Sequence, residues 1–495
     1  MRQGMLLSLA AAFAALAVAD VTPVLAPRAS TTITPVTVTG NAFYAGTSRF
    51  FIRGVDYQPG GGTGVVQDPI ADAASCQRDI AQFTKLGINT IRVYAVDNSA
   101  NHDTCMNALA AAGIYLVLDV NTPLYSINQA NPAVSYNSVY LQSVFATIDA
   151  FANYPNTLAF ISGNEVINQV SNTNAAPYVK ATGRDMKTYI GSRGYRTIPV
   201  GYAAADVAAN QRILADYLNC GTTDERVDFY SINIYSWCDP STFQTSGWDV
   251  MVKNYTGYGI PLFMSEFGCI TNNRTFEEVA ALYSTQMTDV FSGGLVYEYS
   301  QEGNGYGLVT ISGNTVTEGQ QFTLLQQAYQ KTPNPQGTGG ATTTSAASTC
   351  PASSANWLPS SDDALPAIPS AAAKFFSTGA GTGPGLQGKG SQNSGGPDTG
   401  STGTATPGSG AVTSTAKASG SKATSTGSSS SSGSSSSSAA SGSSPTSSST
   451  SSSSTSSSRN STSNGVASNP PPLQRGVLGI MALALLGVTG GFMVL

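Results

Sequence analysis

The chain has 495 residues, a formal net charge of −5 and only 10% charged residues. That balance leaves no basic face for nucleic acid. A single histidine, His102, argues against histidine-based catalysis and multi-histidine metal sites, so carboxylates, tyrosines and hydroxyls are the available chemistry.

At the N-terminus, Arg2 precedes an apolar run over 5–18 that closes on Ala17-Val18-Ala19. This is the pattern of a secretory signal peptide (1–19) cleaved ahead of Asp20; a retained signal anchor is the alternative, for which the run is short. From 20 to 336 strand and helix signals alternate. Apolar or β-branched runs occupy 50–57, 90–96, 115–120, 157–165, 197–203, 228–236, 260–269 and 293–300. Between them, 71–86 carries helical spacing and stops at Gly87, and 102–112 stops at Gly113, as helices capped by glycine do. Thr275-Phe276-Glu277-Glu278 reads as a capping box opening a helix to Phe291, and 320–330 reads as a last helix. The strand runs are continuously apolar rather than alternating, as strands covered on both faces are. Eight strand-helix units predict an α/β fold, a closed (β/α)8 TIM barrel. An open doubly wound sheet is the alternative, but the glycines of 60–64 form neither a dinucleotide nor a phosphate-loop motif, and they read as a rim loop.

After the barrel the composition changes. Residues 337–370 hold Cys350, Trp357, Leu358, Leu365 and Ile368, and read as an extension packed on the barrel and tethered by Cys350. Residues 371–464 are a Ser/Gly/Thr-rich, low-complexity stalk of the kind that carries O-linked sugar and has too little apolar surface to offset its ordering entropy. Residues 465–495 join a polar spacer to an apolar terminus with no basic stop. With the small residues Ser463, Asn464 and Gly465 before it, this is the layout of a glycosylphosphatidylinositol (GPI) signal, with Asn464 the expected attachment residue and Ser463 or Gly465 the alternatives; a retained tail-anchor helix is the other reading.

All six cysteines lie after the signal, their number is even and no C-x-x-C pair occurs, which favours three disulfides over zinc. No metal or cofactor is expected. Barrel topology puts Cys76 and Cys105 on consecutive units, and Cys238 and Cys269 just past adjacent strand ends; Cys220 and Cys350 then pair by elimination, although six cysteines admit fifteen pairings. Sequons stand at Asn254, Asn273 and Asn460.

Two glutamates close apolar runs: Glu165 ends the fourth and Glu266 the seventh. A charge at the end of a buried strand has a ready place only at the C-terminal rim of a barrel, where active sites form. Strands four and seven lie across the barrel from one another, so a sugar chain can pass between the carboxyls. One would donate a proton to the leaving oxygen, and the other would attack the anomeric carbon or activate water. The plainer reading is that each forms an ion pair, and for Arg92 and Asp119 a structural ion pair is the expectation. Asp56, Tyr57, Gln58, Tyr94, Asn121, Asn164, Tyr235, Tyr297, Glu298 and Tyr299 add aromatic and hydrogen-bonding groups at strand ends.

Ser162-Gly163-Asn164-Glu165, Met264-Ser265-Glu266-Phe267-Gly268-Cys269, Gly294-Leu295-Val296-Tyr297-Glu298-Tyr299-Ser300, the run 51–58 and Ile91-Arg92-Val93-Tyr94 together resemble glycoside hydrolase family 72, fungal GPI-anchored β-1,3-glucanosyltransferases of the cell wall. The resemblance spans about 30–370 and implies a retaining mechanism with Glu165 as acid/base and Glu266 as nucleophile. It implies a sugar cleft lined by Gln58, Tyr94, Asp119, Asn164, Tyr235 and Tyr299. It also implies β-1,3-glucan as both donor and acceptor, with an anchor on the outer face of the plasma membrane or in the wall. With Cys350 the only cysteine beyond Cys269, the cysteine-rich carbohydrate-binding module of some members is not expected. An endo-β-1,3-glucanase and a non-catalytic wall protein remain as alternatives.

Overall fold

A computed structural model describes residues 33–61, 66–362, 364–394 and 404–405. The signal peptide, Asn460, the GPI site, the C-terminal signal and most of the stalk lie outside the described residues. The described chain opens with an antiparallel sheet of β1 (Val36–Thr39), β2 (Ala42–Ala45) and β3 (Ser48–Phe50). The barrel strands follow: β4 (Ile52–Asp56), β5 (Thr90–Val93), β6 (Tyr115–Asp119), β7 (Thr157–Asn164), β8 (Val200–Ala205), β9 (Phe229–Ile234), β10 (Leu262–Phe267) and β11 (Phe291–Val296). Each pairs in parallel with the next, and β11 closes on β4. This is the predicted (β/α)8 barrel.

The outer layer comprises α1 (Ala73–Leu86), α2 (Asp103–Ala111), α3 (Pro132–Ser135), α4 (Ser138–Phe151), α5 (Ala176–Ser192), α6 (Gln211–Leu218), α7 (Trp248–Tyr255), α8 (Glu278–Leu282) and α9 (Gln320–Lys331). A hairpin of β12 (Val309–Ser312) and β13 (Thr315–Glu318) precedes α9. The first helix shows how local sequence sets a boundary. Asp72 accepts from the backbone N–H groups of Ala74 and Ser75, and Gly87 turns left-handed (φ 74°) to close the last turn.

The capping box at Thr275 does not form. The Thr275 N–H and hydroxyl both donate to Asp239 Oδ2, Phe276 has a left-handed φ of 61°, and helix is confined to α8. A long-range carboxylate here outcompetes the local cap.

Strand alternation sorts the core. On β6, Tyr115 and Val117 face the barrel interior, while Leu116 and Leu118 face the helices. The lower interior is apolar. Phe43 of β2 enters it from below, with its ring 5.9 Å from Phe229 and 6.0 Å from Phe263, so the N-terminal sheet plugs that mouth. The upper interior is polar, with Asp56, Arg92, Asp119, Asn233 and Glu266 all buried.

Disulfides join Cys76 to Cys105 between α1 and α2, Cys238 to Cys269 between the loops after β9 and β10, and Cys220 to Cys350. The last ties the extension beside α6. Trp357 is fully buried there with its ring 5.1 Å from Tyr217, and Leu365 is buried, whereas Leu358 is exposed.

Ordered structure continues past residue 370, where the low-complexity stalk was expected to begin. Helices α10 (Ser370–Ala373) and α11 (Phe375–Thr378) are followed by an extended strap to Ser394. The Ala380 N–H donates to the Tyr189 hydroxyl, the Gly385 N–H to Asn98 Oδ1, and the Ser391 N–H to the Leu124 carbonyl. A side chain at Gly388 would collide with the Tyr125 hydroxyl. The small residues that read as stalk are here what lets the backbone lie flat on the barrel.

Candidate active site

Glu266 lies on β10, where the register against β9 shifts between Met264 and Glu266. Phe263 points into the lower core, and strict alternation from it would send Glu266 outward. The irregularity turns Glu266 into the barrel mouth, as bulges beside active sites do. Its carboxylate accepts three side-chain donors. Oε1 receives the Tyr94 hydroxyl (2.8 Å) and Arg92 Nη1 (3.2 Å), and Oε2 receives the Tyr235 hydroxyl (2.7 Å).

Glu165 follows the end of β7, with a left-handed φ of 49°. That conformation is costly for a residue with a Cβ and is held by its surroundings. The Glu165 N–H donates to the Ala203 carbonyl, and Asn233 Nδ2 donates to both Glu165 Oε1 (2.7 Å) and Asn164 Oδ1 (3.2 Å). Ser265, next to Glu266, donates to Asn233 Oδ1 (2.7 Å), so one amide couples the supports of the two glutamates.

Arg92 organises the floor. It is fully buried and forms a two-pronged pair with Asp119 (Nε to Oδ1 and Nη2 to Oδ2, both 2.9 Å). It also donates to Asn164 Oδ1, the Ser265 carbonyl and Glu266, and lies over the Tyr94 ring. The expected Arg92–Asp119 ion pair is therefore present, and it forms part of the site.

Burial pushes the Glu266 carboxyl up, to about 7, with Glu165 adding to the rise; the Arg92 guanidinium and the two tyrosine hydroxyls favour its ionised form. Burial also raises the Tyr94 and Tyr235 hydroxyls well above their usual range, so both stay protonated and donate. Donors on both oxygens favour the ionised form against burial, and the ionised carboxylate can attack carbon. Glu165 meets it across the cleft and is half-buried, within reach of solvent and substrate.

The predicted site residues fall into three groups. Glu165, Glu266, Tyr94, Asn164 and Tyr235 converge on one cluster. Asp119 and Gln58 act from behind it. Asp119 is committed to Arg92, and Gln58 Oε1 accepts from the backbone of Tyr94 and Ala95 while its amide donates to the Gln67 and Ala95 carbonyls. Tyr299 stands apart, as a correction to its expected place in the cleft. It is fully buried beside Tyr57 and Phe83, and its hydroxyl donates to Asp79 on α1, which Tyr57 also contacts. The aromatic wall consists of Tyr94, Tyr235, Tyr297 and Tyr306, with Tyr297 6.3 Å from Tyr235 and 5.2 Å from Tyr306. Tyr297 was among the groups expected on the eighth run, whereas Tyr306 and Asn233 were not singled out from sequence. Asn233 had a signal, being an amide inside the apolar run of β9.

A closed parallel barrel with two glutamates, from β7 and β10 three strands apart, over an aromatic-walled mouth defines the class of barrel enzymes that act on glycosidic bonds. The family model described as Glucanosyltransferase (Glyco_hydro_72) matches residues 25–333, and the chain belongs to that family. It is 63% identical over 378 residues to the 1,3-beta-glucanosyltransferase gel1 of Aspergillus fumigatus, covering 76% of this chain and 83% of that protein. It is 53% identical over 364 residues to the 1,3-beta-glucanosyltransferase GAS5 of Saccharomyces cerevisiae, covering 72% and 75%. Among solved structures, Saccharomyces cerevisiae Gas2p in complex with laminaripentaose aligns with a TM-score of 0.64 at 38% identity, covering 68% of this chain and 78% of that one.

Proposed function

We propose that this protein is a β-1,3-glucanosyltransferase that cleaves an internal β-1,3-glucosidic bond and joins the new reducing end to the non-reducing end of another β-1,3-glucan. The observation that carries the reading is the asymmetric support of the two glutamates. Glu266 is clamped by three donors that favour its ionised form, Arg92, Tyr94 and Tyr235, and Glu165 is held by a single amide at the rim.

In the first step Glu165 protonates the glycosidic oxygen as a Glu266 oxygen attacks the anomeric carbon. The carbon–oxygen bond breaks, and the donor stays as a glycosyl ester on Glu266. In the second step the Glu165 carboxylate takes a proton from an acceptor sugar hydroxyl, whose oxygen attacks the same carbon and releases Glu266. Two inversions leave the β configuration unchanged. Transfer prevails over hydrolysis when acceptor sugar displaces water from the intermediate, which the Tyr235, Tyr297 and Tyr306 faces favour by stacking.

Secretion, the GPI anchor and residence at the outer membrane face or in the wall complete the reading. They rest on the terminal sequence patterns. Asn254 and Asn273 are exposed, as glycan acceptors must be.

The test is to incubate the secreted protein with one reduced β-1,3-glucan oligosaccharide and to size the products over time. Products both shorter and longer than the substrate are expected, and both disappear in Glu165→Gln and Glu266→Gln. Shorter products alone would make the protein an endo-glucanase.

A further inference from the structure

Asp56 ends β4 directly under the clamp, opposite Arg92 in the strand register. It is fully buried, and among the described residues neither of its carboxyl oxygens has a hydrogen-bond partner. Its nearest cation is Arg92, with Nη1 4.0 Å from Asp56 Oδ1. That guanidinium has nothing left to donate. Nε goes to Asp119, Nη2 to Asp119 and Asn164, and Nη1 to the Ser265 carbonyl and Glu266, which uses all five N–H groups.

The pocket therefore sets three carboxyls against one positive charge. Asp119 has both oxygens on Arg92, and Glu266 has three donors. An ionised Asp56 would be a bare buried charge, which proteins avoid by pairing or by protonation. We propose that Asp56 stands as a neutral carboxylic acid beneath the nucleophile, so that the one guanidinium is shared by Asp119 and Glu266 alone. Asp56 is thus a positioning residue that acts through Glu266. By holding the surplus proton itself, it lets Glu266 ionise while Arg92, Asp119 and Glu266 sum only to −1, a sum that returns to zero when the glycosyl ester forms. The charged and titratable groups that face it are Arg92 on β5 with Tyr94 just after it, Asp119 on β6, Tyr235 after β9, Glu266 on β10, and Tyr297 and Glu298 after β11. Burial drives its proton affinity well up, and Glu266, Asp119 and Glu298 add to this against Arg92. This inference rests on Glu266 being the nucleophile of the proposed reaction.

The first test needs no substrate, so it fails or succeeds apart from the proposed activity. Infrared difference spectra of the full-length protein at neutral pH, wild type minus Asp56→Asn, should show the carbonyl stretch of one protonated carboxylic acid. Asp56→Ser serves the same subtraction if the amide variant does not fold. A carboxylate band in its place would overturn the proposal. The second test is the acid limb of kcat/KM on β-1,3-glucan. With Asp56 neutral, Asp56→Asn moves that limb by less than about half a unit; with Asp56 charged, its removal lowers the limb by about one unit or more. A merely structural role would change amounts of folded protein without producing the acid band.

Discussion

The two ends of one barrel, made by the same eight strands, are built on opposite principles. Below, Phe43, Phe229 and Phe263 fill the interior with rings and need no specific partner. Above, Arg92, Asp119, Asn164, Asn233 and Glu266 form a buried network in which each polar group is held by another. The lower end stabilises through area removed from water, and the upper end carries the cost of burying charge so that a carboxylate meets substrate preorganised. A change below should lower stability and spare the chemistry; a change above should do the reverse or both.

The sharpest break is Arg92→Met. It leaves Asp119 and Glu266 buried without their cation, a cost of about 3–5 kcal/mol in denaturant unfolding, and a loss in kcat/KM of at least about a thousandfold. Phe43→Ala comes next. Emptying the plug is expected to cost about 3–5 kcal/mol in the same unfolding measurement, with kcat per folded molecule unchanged. Tyr235→Phe removes one donor from Glu266 and little volume. Hydrogen bonds to charged groups contribute about 1.5–3 kcal/mol, so kcat/KM should fall roughly 10- to 100-fold. Because that donor favours the ionised form, its loss should also move the acid limb of the pH profile to higher pH.

The smallest effect on catalysis is expected for a carboxyl outside the network. Glu278 is fully buried, its Oε2 has no partner among the described residues, and burial, with Asp239 adding, pushes it up to about 8. The folded protein then binds a proton that the unfolded chain has released. Stability from this group is full below the ordinary glutamate range and is lost as pH rises towards 8, by about 1.4 kcal/mol per unit inside that window. Glu278→Gln should flatten that slope in thermal melts taken across it.

The contrast between the two ends also explains what sequence could show. The barrel was legible because continuously apolar strands and glycine-capped helices are local patterns, and the two glutamates stood out against the runs they end. Their supports were harder to see. Asn233 and Arg92 acquire their roles only when β5, β7, β9 and β10 meet, and the bulge that aims Glu266 is a property of strand pairing. Tyr299 was placed in the cleft by the family resemblance; β11 ends at Val296 and the chain turns beyond it, which leaves Tyr297 on the aromatic wall and buries Tyr299 beside Asp79. The strap to Ser394 was hidden by its composition. Glycine and serine read as stalk, while the surface that holds them, Asn98, Tyr125 and Tyr189, lies far away in the chain.

The most direct test of the account is to trap the intermediate. The protein is treated with a β-1,3-glucan oligosaccharide fluoride bearing fluorine at C2 of the reacting sugar, which slows release of a glycosyl ester, and is then digested and its peptides weighed. The account predicts one added oligosaccharide, on the peptide that contains Glu266 and lost in Glu266→Gln. An adduct on Glu165, or an unmodified protein that still makes longer glucans, would contradict it.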